Sequence, residues 1–291
     1  DDPEIYNPVF NTKDAGFYNL IYYVSDANNC SSEDSIVVKV NLSADISPDP
    51  ANVCEGSTLQ LHGNPVAGTG EITEHFWTGD TSHLSATNIP DPVFNTDVTP
   101  GIYELHYTVT DENGCSVTDS ISIEVYENPV PVIPDDSLQV CAGLDLNISA
   151  HYNDAPEEIT TACWLGDNHF LDDSTLTNPV FNATEDGLYE LMYYAEDTNA
   201  CSNMDTLQIR VYKNPVAVIP EDTADVCENT ELRLNSQVVM GSDTTLTHQW
   251  TGDTAFISGS TNISDPVFIA GNPPEFYNFV YSVTDGNTCF S

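Results

Sequence analysis

Basic residues are almost missing from this chain of 291 residues. It contains 5 Lys and Arg against 46 Asp and Glu, so its formal net charge is −41 at pH 7. A surface that binds nucleic acid or an anionic membrane has to present positive charge to phosphate groups. The composition therefore excludes nucleic acid and anionic membranes as partners, and it predicts an acidic, solvated surface.

Long apolar runs are missing as well. No run of 18 apolar residues could cross a membrane, and Asp1 is not followed by the basic start and apolar middle of a signal peptide. We therefore expect no membrane insertion. Because the sequence begins and ends inside the repeat described below, we expect it to be part of a longer protein.

Motifs for metal or nucleotide chemistry are also missing. The sequence has no His-x-x-x-His, no Cys-x-x-Cys and no Gly-rich phosphate loop, so zinc and nucleotide sites have no support. Of its 7 His, His75 and His248 share a repeat position, where the copy between them has Ala162. Catalysis needs a nucleophile, a base and an orienting group that converge. The sequence therefore predicts that the chain is not an enzyme and has no cofactor, calcium excepted.

What the sequence does contain is a repeat. Cys54, Cys141 and Cys227 each follow a Val and lie 87 and 86 residues apart, and Trp77, Trp164 and Trp250 lie the same distances apart. Four tyrosines each stand twelve residues before a cysteine, in the pairs Tyr18/Cys30, Tyr103/Cys115, Tyr189/Cys201 and Tyr277/Cys289. A register kept at so many positions indicates a tandem array.

The repeat divides the sequence into four copies, which we number 1 to 4. Copy 1 (residues 1–42) is the C-terminal half of a repeat, copy 2 spans 43–127, copy 3 spans 128–213, and copy 4 (214–291) lacks its last strand. No Gly- or Ser-rich linker separates the copies, and Asn-Pro at their boundaries favours extended backbone. We therefore expect neighbouring copies to be stiffly joined.

Within a copy, apolar and polar residues alternate. Tyr103, Leu105, Tyr107 and Val109 alternate with polar residues, which is typical of strands with one buried face. With 40% hydrophobic residues the chain can form a core, so its acidity does not indicate disorder. We predict an all-β fold of tandem Ig-like antiparallel sandwiches, of about seven strands each, arranged as a rod.

Two aromatic positions of the repeat have predicted structural roles. Trp77, Trp164 and Trp250 stand in mid-strand, where sandwiches bury a tryptophan in the core. The tyrosines at positions 18, 103, 189 and 277 stand at the start of the penultimate strand, where sandwiches place a tyrosine whose hydroxyl bonds back to the backbone. Copy 4 lacks the preceding Gly, so we expect its turn to differ.

These residues carry a resemblance to a known family. Trp77-Thr78-Gly79-Asp80, and Gly101-Ile102-Tyr103 leading into Thr110-Asp111-Glu112-Asn113-Gly114-Cys115, resemble PKD-like repeats of large Bacteroidota surface proteins, including gliding-motility adhesins exported by type IX secretion. The Trp-Gly-Asp turn is one residue shorter than the family's.

The resemblance implies a location and a function. It implies an extracellular stalk or filament of a cell-surface adhesin, which bears tension and holds a distal adhesive region away from the cell. The expected partners are neighbouring repeats, other copies in a filament, and a surface ligand or glycan bound through regions outside this sequence. The alternative is a spacer or carbohydrate-binding module of a secreted polysaccharide hydrolase.

The resemblance also implies O-glycosylation. Asp-Ser/Thr-apolar triplets look like the acceptor signal of Bacteroidota, which makes Ser35, Ser120, Ser137 and Thr206 candidates.

Calcium is the one metal that the acidic residues could hold. The Asp of the Trp-x-Gly-Asp turn (Asp80, Asp167, Asp253) is interpreted as a cap for backbone N–H groups rather than as a calcium ligand, because calcium needs six to eight oxygens. A calcium site between copies remains a hypothesis, with Asp135, Asp136 and Asp285 as its candidate ligands.

The cysteines predict disulfides, because recurring Cys in small repeats is typical of an oxidising compartment. Two pairing schemes are open. A within-copy scheme pairs Cys54–Cys115, Cys141–Cys201 and Cys227–Cys289. A between-copy scheme pairs Cys54–Cys201 and Cys141–Cys289, and leaves Cys30 and Cys115 for upstream partners and Cys227 for a downstream one. Cys163 has no counterpart in the other copies and is expected to be unpaired.

Overall fold

The structure is a computed structural model that describes residues 8–10, 16–40, 42–68, 70–153, 157–271 and 275–291. In these ranges strands are interrupted by short 3-10 turns at Thr81–His83, Asn168–Phe170 and Thr254–Phe256, which confirms the all-β prediction. None of the described residues forms a helix long and apolar enough to cross a membrane. The chain divides into two units, Asp1–Asn128 with Asn199–Cys201, and Pro129–Thr198 with Ser202–Ser291.

In the first unit, copy 1 contributes an antiparallel hairpin. Strands β1 (Gly16–Ser25) and β2 (Ser31–Val40) pair from Gly16 opposite Val40 to Ser25 opposite Ser31. Many of its apolar side chains are exposed, among them Phe17, Ile21 and Tyr23.

Copy 2 forms a two-layer sandwich, also in the first unit. Its strands are β3 (Ala51–Cys54), β4 (Thr58–Gln60), β5 (Ile72–Gly79), β6 (Val93–Asn95), β7 (Gly101–Asp111) and β8 (Ser116–Tyr126). One sheet has the order β3-β8-β7-β5 and the facing sheet pairs β4 with β6. The alternating residues of β7 behave as predicted, because Leu105, Tyr107 and Val109 are fully buried.

Copy 3 repeats this sandwich in the second unit. Its strands are β9 (Pro131–Val132), β10 (Ser137–Cys141), β11 (Leu146–Asn147), β12 (His151–Tyr152), β13 (Ile159–Gly166), β14 (Val180–Phe181), β15 (Gly187–Asp197) and β16 (Ser202–Tyr212). The larger sheet has the order β10-β16-β15-β13, and the shorter strands pair as β11-β14 and β12-β9.

Copy 4 completes the second unit. Its strands are β17 (Val216–Val218), β18 (Glu231–Arg233), β19 (Gln237–Val239), β20 (Leu246–Gly252), β21 (Ile257–Ser258), β22 (Val267–Ile269) and β23 (Phe279–Asp285). They pair as β17-β19, β18-β22-β21 and β20-β23.

The sheets are antiparallel, as predicted, except at the first strand of a copy. The first segment of a copy pairs antiparallel with a strand of one sheet, as β9 does with β12, and the chain then crosses to the other sheet. Its continuation runs parallel to the last strand, in the pairs β3-β8 and β10-β16. An aspartate of the last strand holds the crossing segment, since Asp119 Oδ2 accepts the Ile46 N–H at 2.8 Å and Asp205 Oδ2 accepts the Ile133 N–H at 2.8 Å. Such crossovers depend on contacts about 70 residues apart in sequence, which local alternation does not encode.

Candidate functional site at the ends of the copies

The crossover determines where the first cysteine of a copy lies. Cys54 ends β3 directly opposite Tyr126, the last residue of β8, whereas Cys115 immediately precedes β8. These two cysteines are therefore separated by the length of β8, about 35 Å at about 3.3 Å per residue. A disulfide needs Cα atoms within about 7 Å of each other, so Cys54 cannot pair within its own copy. Copy 3 repeats the arrangement, with Cys141 opposite Tyr212.

The structure contains two disulfides. Cys54 is bonded to Cys201 and Cys141 to Cys289, each with a Cα–Cα distance of 5.5 Å. These are the two pairs of the between-copy scheme: the first cysteine of one copy is bonded to the second cysteine of the next copy. The four remaining cysteines are free thiols within the described residues, Cys30, Cys115 and Cys227 being exposed and Cys163 half-buried.

The turn that presents the second cysteine is organised by an aspartate. Asp285 Oδ1 accepts the backbone N–H groups of Asn287 at 2.9 Å and of Cys289 at 3.0 Å. Asp111 makes the same two bonds to Asn113 and Cys115. The sequence shows this aspartate in every copy, four residues before the cysteine, but its role in fixing the cysteine was missed.

The same aspartate occurs in copy 1, where the electrostatic effect is clear. Asp26 Oδ1 accepts the N–H groups of Asn28 and Cys30. The N–H of Cys30, and then that of Asn28, hold the pKa of the Asp26 carboxyl below its usual value. Hydrogen bonds to the ionised form cause such a shift.

The boundary between copies 3 and 4 is held by the backbone. Lys213 N–H donates to Ser242 Oγ at 2.7 Å, and Ser242 N–H donates to the Lys213 carbonyl at 3.0 Å. Gly241 lies so close that a Cβ there would be 2.4 Å from the Lys213 carbonyl oxygen. The Asn214 side-chain amide donates to the carbonyl of Ala142, next to the bridged Cys141, at 2.9 Å. This boundary is therefore well ordered around the disulfide.

An equivalent bond occurs in the first unit, where the Asn128 amide donates to the Glu55 carbonyl at 2.9 Å, next to Cys54. Asn128 and Asn214, each followed by Pro at a boundary between copies, thus fasten the chain beside the first cysteine. The sequence indicated only that this segment is extended.

The three calcium candidates lie in different surroundings. No group of three or more His, Cys, Asp or Glu side chains suited to a metal ion occurs among the described residues. Asp135 and Asp136 are exposed on the approach to β10, whereas Asp285 is 5% exposed and uses Oδ1 in its own turn. Within the described residues these three side chains belong to no such group, and a calcium site between copies stays a prediction.

The aspartate of the Trp-x-Gly-Asp turn has a different partner from the one expected. Asp80, Asp167 and Asp253 leave the N–H groups of their own 3-10 turns uncapped. Each accepts instead a backbone N–H of the penultimate strand segment, from Glu104, Glu190 and Asn278, at 2.7 to 2.9 Å. The carboxylate fastens the end of one strand to its neighbour.

The tryptophans lie in the cores. Trp77, Trp164 and Trp250 are at most 3% exposed. Each indole N–H donates to a carbonyl twelve or thirteen residues later, in the pairs Trp77–Ile89, Trp164–Leu176 and Trp250–Ile263. Their indoles are thus buried and hydrogen-bonded within their own copies.

The tyrosines at the start of the penultimate strand bond to the backbone in copies 2 and 3. Tyr103 donates to the Thr99 carbonyl at 2.6 Å and Tyr189 to the Glu185 carbonyl at 2.8 Å. In copy 4 the Tyr277 hydroxyl instead accepts the Gly271 N–H at 3.1 Å, so this turn does differ. Tyr18 of copy 1 packs against Phe10, with ring centroids 5.1 Å apart.

A buried tyrosine on the same strand has a histidine partner in two copies. His75 Nδ1 lies 2.6 Å from the Tyr107 hydroxyl, and His248 Nδ1 lies 2.6 Å from the Tyr281 hydroxyl. In copy 3 the histidine position is Ala162, and the buried Tyr193 hydroxyl has no hydrogen-bond partner among the described residues. The shared position of His75 and His248 was the sequence signal for this pair, but its partner could not be identified.

The candidate glycosylation residues are all exposed on strands: Ser35 on β2, Ser120 on β8, Ser137 on β10 and Thr206 on β16. Ser120 Oγ lies 2.7 Å from His106 Nδ1. The aspartates before Ser120 and Thr206 are the two that hold the crossing segments. These triplets thus have a structural reason to contain Asp, independent of modification.

No protein-family model matches the chain. No curated protein matches it. Among solved structures it is similar to a 3Ig structure of titin domains, with 13% identity and a TM-score of 0.41 over 87% of this chain and 96% of that one. It is also similar to the N-terminal eight Ig domains of Down Syndrome Cell Adhesion Molecule, with 16% identity and a TM-score of 0.40 over 97% of this chain and 40% of that one.

A third similar structure is the PKD domain from the KIAA 1837 protein, with 22% identity and a TM-score of 0.25 over 29% of this chain and 85% of that one. Since all three TM-scores are below 0.5, the assignment of the fold rests on the strand order of the chain itself. That order makes the chain a tandem array of Ig-like sandwiches with two disulfides.

Proposed function

We propose that this chain is a structural stalk or filament region of a secreted bacterial cell-surface adhesin, which bears tension and holds a distal adhesive region away from the cell. The observation that carries the proposal is the pair of disulfides between successive copies, Cys54–Cys201 and Cys141–Cys289. Disulfides form and persist in oxidising compartments, so the chain is secreted or extracellular. A bond between successive copies resists their separation, which a stalk requires.

The ordered boundary between copies 3 and 4 supports the same proposal. Lys213 and Ser242 exchange two hydrogen bonds there, and the Asn214 amide bonds beside Cys141. Flexible Gly/Ser linkers behave as random coils, whereas this boundary fixes its backbone. Such a boundary transmits force from one copy to the next.

The pairing pattern extends the proposal beyond the two observed bonds. If the first cysteine of every copy pairs with the second cysteine of the next, Cys115 and Cys30 take partners in upstream copies and Cys227 takes one downstream. All three thiols are exposed, as this requires. We accordingly propose the domain boundaries 1–42, 43–127, 128–213 and 214–291, with further copies as the partners of this chain.

The setting in the organism is part of the proposal. The Trp-x-Gly-Asp turn and the Thr-Asp-x-x-Gly-Cys ending support a Bacteroidota surface protein, exported by type IX secretion and used in gliding motility. The net charge of −41 favours mutual repulsion of neighbouring stalks.

The proposal can be tested by shortening the stalk without disturbing its disulfide pattern. Deleting residues 128–213 joins copy 2 to copy 4 and leaves Cys54 to pair with Cys289. In the native host we expect the protein still to reach the surface, as detected by antibody on intact cells, while cell attachment falls because the reach is shorter. Unchanged attachment would contradict the proposal. Binding of the chain to insoluble polysaccharide would favour the alternative, a carbohydrate-binding module of a hydrolase.

A further inference from the structure

The two disulfides enclose overlapping stretches of the chain. Cys54–Cys201 and Cys141–Cys289 close loops with sequence separations of 147 and 148, and both loops contain residues 141–201. Every backbone bond from Cys54 to Cys289 therefore lies inside at least one closed loop. This includes the two boundaries between copies 2 and 3 and between copies 3 and 4. With the within-copy pairing, both boundaries would lie outside every loop.

We propose that this staggered pairing makes the chain a covalent ladder, which stays in one piece after any single backbone cleavage between Cys54 and Cys289. A cut at Lys213, for example, divides the chain into a part with Cys141 and a part with Cys289, and these two cysteines are bonded to each other. A cut near Asn128 is spanned in the same way by Cys54–Cys201.

Protease resistance of this kind is of use to an extracellular chain, because cleavage of one accessible peptide bond does not release the part of the chain beyond it. In a serial arrangement of closed domains, the connections are the sites where a single cut releases everything beyond them. Here each connection is bridged. The ladder is a property of the covalent pairing, so it stands or fails separately from the proposal of a surface stalk.

Three of the four bridging cysteines are also buried. Cys201 and Cys289 are 0% exposed and Cys141 is 8% exposed, whereas Cys54 is half-buried. Thiol–disulfide exchange requires access of a thiolate to a sulfur atom, so burial slows reduction of a bridge. In contrast, the thiols of Cys115 and Cys227 are exposed and open to a partner.

The scarcity of basic residues allows a direct test on the unaltered chain. Its lysines are Lys13, Lys39 and Lys213, and Lys213 lies at the boundary between copies 3 and 4. We suggest blocking free thiols with an alkylating agent at acidic pH, unfolding the protein and digesting it with lysyl endopeptidase without reductant. The ladder predicts that segments 40–213 and 214–291 remain one covalent species and separate when reductant is added.

Trypsin sharpens the test, because it also cuts at Arg210 and Arg233. Without reductant, the peptide 214–233 should then be released alone, with Cys227 alkylated, while residues 40–210 and 234–291 stay joined through Cys141–Cys289. The within-copy pairing predicts the reverse, with 214–233 attached to 234–291 and separate from 40–210. That result would overturn the ladder.

The boundary between copies 2 and 3 needs one substitution. Glu127 is exposed, so Glu127→Lys introduces a lysyl endopeptidase site there. In this variant, residues 40–291 should still migrate as one species without reductant. The matched control adds Cys54→Ser and Cys201→Ser, which should release residues 40–127 as a separate fragment. Release of that fragment from the Glu127→Lys chain with its cysteines intact would refute the proposal.

Discussion

The unpaired hydroxyl of Tyr193 leads to the sharpest prediction about stability. Tyr107, Tyr193 and Tyr281 occupy the same position of the repeat, and Tyr107 and Tyr193 are fully buried. The Tyr107 hydroxyl lies 2.6 Å from His75 Nδ1. Copy 3 has Ala162 at the histidine position of the repeat, and the Tyr193 hydroxyl has no partner among the described residues. The same substitution to Phe should therefore have opposite effects in copies 2 and 3.

A buried polar group without a partner costs about 1 to 3 kcal/mol, and a typical hydrogen bond contributes about 0.5 to 1.5 kcal/mol. Tyr193→Phe removes the unpaired group, so we expect it to stabilise copy 3 by up to about 1 to 3 kcal/mol. Tyr107→Phe removes a hydrogen bond and leaves the half-buried His75 without its partner. We expect it to destabilise copy 2 by at least about 1 kcal/mol.

The measurement is native-state hydrogen exchange of the intact, disulfide-bonded chain, which reports each copy separately. Exchange in β13 and β15 should slow in Tyr193→Phe, and exchange in β5 and β7 should quicken in Tyr107→Phe. Ala162→His, which supplies the missing partner, should also slow exchange in copy 3, but it should cause no further slowing when added to Tyr193→Phe. If Tyr193→Phe quickens exchange in copy 3, its hydroxyl has a partner and the reasoning is wrong.

Four further outcomes are expected. Burial, and to a smaller extent the charge of Asp91, raises the pKa of Tyr107 from 10.0 to about 12. The stability that depends on this proton is complete below the pKa of Tyr107 in the unfolded chain and is lost as pH rises through its pKa in the folded chain, so copy 2 should lose about 2 to 3 kcal/mol between about pH 10 and 12 in denaturant titrations. A result that does not depend on pH would count against the burial of this phenol. Gly79→Ala should lower the thermal midpoint much more than its control Gly114→Ala. Both residues have a positive φ, but a Cβ at Gly79 would lie 2.2 Å from the Glu104 carbonyl oxygen, whereas a Cβ at Gly114 would have no atom within 4 Å. The control should cost about 1 to 2 kcal/mol, and equal losses in the two variants would disprove the clash. Raising the ionic strength from about 0.01 M to about 0.15 M shortens the screening length from about 30 Å to about 8 Å, so Tm should rise in a chain of net charge −41, and a fall would show that attractive pairs dominate. In single-molecule stretching with both bridges intact, the segment from Cys54 to Cys289 should extend to at most about 200 Å, because the covalent path runs only through the roughly 60 residues between Cys141 and Cys201. After reduction the path contains about 235 residues and should extend to about 800 Å. Equal extensions would contradict the overlap of the two loops.

The class of fold and the repeat follow from the amino-acid sequence alone. Alternation in segments such as Tyr103–Val109 specifies strands with one buried face, because side chains of a strand point to opposite sides in turn. The three recurring Trp residues are buried, and Tyr103 and Tyr189 bond to the backbone, because one position of each copy faces the same local surroundings. The exception of Tyr277 followed from a local cause too, the loss of the preceding Gly.

Features that depend on contacts between residues distant in sequence follow instead from the packing of the strands. The sequence left two disulfide schemes open. The choice between them follows from the crossover of the first strand, which runs parallel to the last strand and places Cys54 at the end of β8 that is remote from Cys115. The clustered acids suggested Asp135, Asp136 and Asp285 as calcium ligands, whereas only the structure shows that Asp285 Oδ1 accepts the N–H of Cys289. A sequence records which side chains are available, whereas the partner of a carboxylate, a thiol or the Tyr193 hydroxyl is set by which strands pack together.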